Sequence, residues 1–198
     1  MADKPKKAET STIITPIGVA CFPHLFEAHA FEDKEPGYSM LLVFNRKKIE
    51  KDPAWLKLRE AVTHAVKTSA KFGGNGILLH KKGKLTLPWR DAEEYDQYGE
   101  PFVEGNIMIN LKSRTPPGVV DERSQPIISA SDFYAGCLAR ASCGVWPYDT
   151  KGNKGVTLLL NNVQKAGEGK RLDGRRAAED EFDALVDGGS SDDSSDLL

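Results

Sequence analysis

Residues Tyr134 to Tyr148 read YAGCLARASCGVWPY, and the alternation in this run decides the fold. In a β-strand successive side chains point to opposite faces. The odd positions Ala135, Cys137, Ala139, Ala141, Cys143 and Val145 are small and apolar, as the interior of a tightly curved sheet requires. The even positions include Tyr134, Arg140, Trp146 and Tyr148. An aromatic and arginine row opposite a core-facing row has no packing role unless something covers it. Nucleic-acid bases are one such cover, each base–aromatic stack contributing roughly 1 to 3 kcal/mol without demanding a sequence. Loops or a dimer partner are another, because large aromatics are often core, and these residues alone leave both open.

The run from Asn106 to Arg114 repeats the pattern. Ile107, Ile109 and Leu111 face one way, and Met108, Asn110, Lys112 and Arg114 the other. If the two strands share a sheet, their polar faces join into a basic, aromatic platform of the kind that sequence-tolerant single-strand binding uses. An exposed polar face is also normal for any half-solvated strand. Lys81, Lys82, Lys84, Trp89, Arg90, Tyr95, Tyr98 and Phe102, in the segment before this strand, supply further basic and aromatic candidates.

Working outward, Thr12 to Ala20 and Tyr38 to Asn45 are apolar and β-branched and read as strands, with Pro23, Pro36 and Gly37 marking loops between them. Val156 to Val163 is a further strand. Asp52-Pro53 supplies an N-cap and first-turn proline, Trp55, Leu58, Val62, Ala65, Val66 and Ser69 recur at helical spacing, and Gly73-Gly74 ends the segment. This predicts one main helix over about 53–72. Gly76 to Gly105 mixes short apolar pieces with turn residues and predicts irregular structure, with a lysine-rich hairpin at His80 to Lys84. Long strands, Gly and Pro turns and one good helix predict a mainly β fold, a five-stranded OB-type barrel.

The chain has 198 residues, 39% of them hydrophobic and 28% charged, which fits one sizeable domain with a tail. The expected division is a flexible N-terminal arm over 1–11, one domain over 12–170 and a disordered acidic tail over 171–198. The formal charge of -2 hides an asymmetry. Ala177 to Leu198 holds eight acids and no Lys or Arg; since the chain has 27 basic and 29 acidic residues, positions 1–176 keep 27 against 29 - 8 = 21. A basic body with an acidic tail suits a polyanion-binding surface with a built-in competitor, and equally a solubilising segment. Phe182, Asp192, Asp193, Asp196, Leu197 and Leu198 are the candidate partner contacts, acids for steering and apolar anchors for docking. No run reaches the ~20 apolar residues of a membrane helix and the lysine-rich start lacks an apolar signal core, so a soluble, unexported, cytoplasmic protein is expected. Cys21, Cys137 and Cys143 have no framework spacing and read as small core residues.

Catalysis finds little support. Asp91, Glu93, Glu94 and Asp96 are the carboxylates a Mg²⁺-dependent nuclease would need, but they crowd six residues of a polar loop. Cys21 and His24, with His29 nearby, lack a second pair at zinc spacing. No phosphate-cradling glycine motif is present. No cofactor and no metal are expected.

The order of elements resembles the OB-fold single-stranded DNA-binding proteins of tailed bacteriophages. It is carried by Thr15-Pro16 leading into the first strand, Tyr38 to Phe44 (YSMLLVF), the helix, Leu87-Pro88-Trp89-Arg90-Asp91, Tyr134-Ala135-Gly136-Cys137, Lys154 to Lys165 (KGVTLLLNNVQK) and the acidic end. The resemblance implies coating of exposed DNA in phage replication, recombination or repair inside the bacterial host, with the C-terminus recruiting replication or recombination proteins; an exposed aromatic sheet leaves both monomer and homodimer open. An adaptor of replication or virion assembly is the alternative reading and a metal-dependent nuclease the third. One departure is that the helix follows the second long strand, whereas an OB barrel places it between the third and fourth.

Overall fold

The computed structural model describes residues 12–30 and 35–174. The expected arm, the acidic tail beyond Gly174 and the candidate contacts Phe182, Asp192, Asp193, Asp196, Leu197 and Leu198 lie outside the described residues. In chain order the elements are β1 (Ile13–Ile14), β2 (Gly18–His29), β3 (Gly37–Asn45), α1 (Arg46–Ile49), α2 (Pro53–Thr68), α3 (Gly76–Lys81), β4 (Trp89–Asp91), β5 (Asn106–Ser113), β6 (Gly118–Val120), β7 (Leu138–Thr150) and β8 (Asn153–Gly167). The fold is mainly β. Antiparallel β2–β3 and β3–β5, parallel β5–β8, and antiparallel β8–β7 and β7–β2 pairings form a closed five-strand ring.

The inward rows of β7 and β5 follow the alternation read in the sequence. Ala139, Ala141 and Cys143 of β7 meet Met40, Leu42 and Phe44 of β3, Ile107, Ile109 and Leu111 of β5, and Val156, Leu158 and Leu160 of β8 in one buried cluster. Helix α2 completes it with Trp55, Leu58, Val62 and Val66. Its start is as expected: the Asp52 carboxylate accepts from the Ala54 N–H at 2.7 Å and Pro53 fills the first turn. The α-helix stops at Thr68. A 3₁₀ turn, Ala70–Phe72, then buries Phe72, and Gly73 closes it with φ of 57°.

Several boundaries differ from the sequence expectations. The first strand is two pieces: Ile13 and Ile14 pair with β7, and Thr15-Pro16 breaks the ladder, since Pro16 has no N–H. Thr15 is nevertheless buried, its N–H donating to the Ala141 carbonyl and its hydroxyl accepting from the Ala141 N–H. Pro23 does not end β2. It sits where the β2–β3 register slips between Cys21 and His24, next to Phe22 at φ of 47°, and an interrupted ladder is where a strand tolerates proline.

The lysine-rich stretch His80 to Lys84 is not a hairpin but the end of α3. The Gly83 N–H donates to the His80 carbonyl, the Lys84 N–H to the Leu79 carbonyl, and Gly83 takes a left-handed φ of 65°, the paired bonds of a Schellman cap. Helix α3 packs closely on α2, for a Cβ on Gly76 would lie 1.9 Å from the Val66 carbonyl oxygen. Tyr134 to Cys137 precedes β7 as a turn, with Gly136 at φ of 110°. Beyond Lys170 the chain stays docked, the Leu172 N–H donating to the Ala135 carbonyl.

Candidate nucleic-acid interface

The outward row of each ring strand follows from the register. Ser39 pairs with Lys112 and Leu41 with Asn110 across β3–β5; Lys112 is level with Leu159 across β5–β8; Leu159 pairs with Gly144 and Thr157 with Trp146 across β8–β7. One side of this outer face is covered. Val43, Leu41, Cys21 and Met108 bury under Ala92 and Phe102 of the segment that follows β4, with Tyr95 and Leu172 packed against them. The uncovered part is an open groove of about 1070 Å³ lined by Phe22, His29, Tyr38, Ser39, Tyr95, Tyr98, Asn110, Lys112, Arg114, Leu159 and Asn161.

The covering segment builds one wall of that groove. Antiparallel pairing of Trp89, Arg90 and Asp91 with Ile109, Met108 and Ile107 fixes its start. Asp91 is bonded to Arg46, and Arg90 to Glu94 at 3.3 Å. The 3₁₀ stretch Ala92–Tyr98 then presents Tyr95 and Tyr98 to the groove. Phe22 meets Tyr98 edge-on at 5.1 Å and lies 5.7 Å from Phe102, while Tyr95 stacks on Phe102 at 5.7 Å and carries the Arg90 guanidinium 5.7 Å from its ring. Phe102 is 2% exposed and supports these rings from beneath, whereas Tyr98 is 57% exposed.

Lys112 near the end of β5 and Arg114 just after it line the same groove. His29 lies at the margin, stacked on His24 with ring centroids 4.3 Å apart; burial, and then His29, hold the His24 imidazole below its ordinary range. A groove lined by both aromatic and basic side chains can hold flat π-faces and anionic phosphates together.

Of the sequence candidates, Tyr95, Tyr98, Lys112 and Arg114 meet in the groove, and Trp146 shares its face. Tyr148 folds over Gly155, where an added Cβ would lie 2.6 Å from its hydroxyl. Lys81, Lys82 and Lys84 are exposed at the end of α3, leading into Thr86, which bonds β8 at Lys154 and Val156. Trp89 packs against Trp55 at 5.5 Å and belongs with the core. Arg140 lies towards the other end of β7, bonded to Gln164 at 2.9 Å and outside the groove lining.

Tyr134 serves a separate clasp. Its hydroxyl donates to Glu168 at 2.6 Å and accepts from the Gly169 N–H, with Arg171 and Lys165 at 4.2 and 5.2 Å from its ring. Burial and the Glu168 carboxylate push the Tyr134 phenol up, and hydrogen bonds from Lys165 and Tyr134 hold Glu168 low.

Phe22, His29 and Leu159 line the groove without having been among the binding candidates of the sequence. Only Phe22 left a signal, a proline directly after it inside an otherwise strand-like run. Among the described residues no three His, Cys, Asp or Glu side chains are grouped to hold a metal, and no helix is long and apolar enough to cross a membrane.

Comparison with known proteins places this architecture. The single-stranded DNA-binding protein of bacteriophage Enc34, solved in complex with ssDNA, superposes with a TM-score of 0.63 at 22% identity, over 82% of this chain and 90% of that one. A C-terminal truncation of the Enc34 protein gives 0.64 at 20% identity over the same shares. The single-stranded DNA-binding protein gp2.5 of bacteriophage T7 gives 0.59 at 12% identity, over 92% of this chain and 99% of that one. These likenesses establish a shared fold. No curated protein matches the chain. The family model described as Enterobacter phage Enc34, ssDNA-binding protein, matches residues 11–198, and the chain therefore belongs to that family.

Proposed function

We propose that the protein binds single-stranded DNA with little sequence preference in the outer-face groove, coating exposed DNA during phage replication, recombination or repair in the host cytoplasm. The observation that carries this reading is that Tyr95 and Tyr98 line one open groove together with Lys112 and Arg114. Family membership and the Enc34 protein solved with ssDNA support it. In this reading the five-strand ring is an OB-type barrel with α2 inserted after its second strand. The protein acts as a monomer or homodimer, without a catalytic step or cofactor.

The same proposal gives the acidic C-terminus a recruiting role, its carboxylates steering towards a basic pocket on a replication or recombination protein and Leu197-Leu198 supplying a short anchor. Binding is tested with labelled single-stranded, duplex and RNA oligonucleotides. Salt-sensitive retention of the single strand supports the reading, and no retention at low salt overturns it. Deleting residues 177–198 abolishes co-purification with a replication protein if the tail recruits; persistence of that partner removes the role.

A further inference from the structure

Trp146 is the one tryptophan of three that faces solvent. Trp55 is 5% exposed, Trp89 packs on it, and Trp146 is 46% exposed on the outer face of β7. Its neighbours follow from the strand register. Trp146 pairs with Thr157, and parallel pairing of Leu111 with Leu158 sets Thr157 level with Asn110, which lines the groove. Adjacent strands lie about 4.8 Å apart, so Trp146 sits two strands, or about 10 Å, from the groove lining at Asn110. Leu159 bridges the gap. It lines the groove, is 39% exposed, and pairs with Gly144 two residues before Trp146.

A cation is already placed over the indole. The Lys71 Nζ lies 5.0 Å from the Trp146 ring centroid. Lys71 follows α2 rather than belonging to the ring, and its backbone is held there by Lys154, whose Nζ donates to the Lys71 carbonyl at 3.2 Å and pairs with Asp149 at 2.7 Å. The β7–β8 hairpin thus carries the ring and holds the backbone of the lysine beside it. A half-exposed indole next to a positioned lysine offers a stacking face and a phosphate contact side by side.

We propose that Trp146 and Lys71 form a second nucleotide subsite, and that a single strand runs across β5, β8 and β7 from the tyrosine wall, over Leu159, to Trp146. This rests on the single-strand reading above and adds a direction and a second stacking position to it. A strand too short to span the two subsites uses the groove alone.

Tryptophan fluorescence of the full chain tests this, because Trp55 is buried and Trp89 only partly exposed, and Trp146→Phe isolates the Trp146 signal from that of Trp89. Titration with oligo-dT long enough to span both subsites quenches the emission and protects it from iodide. In Trp146→Phe, which keeps a stacking ring, the quench disappears while affinity stays within about threefold. In Trp146→Leu the affinity for long oligo-dT falls roughly ten- to hundredfold, the affinity for dT₃ is unchanged, and Lys71→Gln lowers the salt slope by about 0.7. Binding without quenching, with Trp146→Leu equal to the parent on long oligonucleotides, overturns the second subsite and leaves the groove reading standing. Absence of all binding by anisotropy overturns the groove reading itself.

Discussion

The ring of Phe22 meets that of Tyr98 edge to face with centroids 5.1 Å apart, joining the bulge of β2 to the 3₁₀ turn after β4. Phe22 reaches this position because the register slip at Pro23 turns its backbone to a φ of 47°. The aromatic wall is therefore a product of two distant segments. It separates surface from support: Tyr98 stands outside and Phe102 beneath.

Replacing Tyr98 by Ala weakens oligo-dT binding by about 1 to 3 kcal/mol, measured by fluorescence anisotropy, with little change in urea midpoint. Phe102→Ala has the opposite profile, losing about 3 to 5 kcal/mol of stability, because its buried ring leaves a cavity. If Tyr98→Ala binds as the parent does, the wall is not a stacking surface.

Lys112→Gln and Arg114→Gln each lower the slope of log Kobs against log salt by about 0.7, the value for one phosphate contact on a single strand. Arg140→Gln, remote from the groove and bonded to Gln164, leaves the slope unchanged. A parent-like slope in Lys112→Gln or Arg114→Gln would remove that residue from the phosphate path.

Gly136→Ala releases the end of the docked chain. The added Cβ would sit 1.9 Å from the Lys170 carbonyl oxygen, at a φ of 110° that side chains rarely adopt. The strain alone costs roughly 1 to 3 kcal/mol. Urea unfolding should show at least that loss, and protease should cut between 168 and 174 sooner. A parent-like midpoint would show that the segment is not held as described.

Cys21, Cys137 and Cys143 resist alkylation in the native protein. Burial pushes their thiols from 9.0 to about 12, 11 and 12 respectively, so the reactive thiolate is scarce at pH 8. These raised values favour the protonated, folded state. Their contribution is complete below pH 9 and is lost as pH rises through about 11 to 12. Mass spectrometry after iodoacetamide should find no adduct at pH 8 without denaturant and three in urea; a native adduct would mean that one thiol opens to solvent.

The inward rows could be read from the chain alone because alternation and helical spacing are local. Ala139, Ala141 and Cys143, or Ile107, Ile109 and Leu111, need only the strand's own pleat to share a face. The Asp52-Pro53 start of α2 is equally local, as it requires only a side chain within two residues of the N–H it caps. The α3 cap at Gly83 was local too, but a glycine after lysines fits a hairpin and a helix end alike, and contact with Val66 decided between them.

The outer face is another matter. Its residues divide into a covered side and an open side, and nothing within β5 distinguishes buried Met108 from exposed Lys112 except hydropathy. Tyr95, Tyr98 and Phe102 look alike in sequence, yet one is a buried support and another the exposed edge of the groove. Which residues meet depends on pairings between strands far apart in the chain and on where the 92–102 segment comes to rest. Those pairings are set by the fit of whole surfaces, so the sequence determined the sheet's inner side, and only the tertiary structure decided which outward side chains could act together.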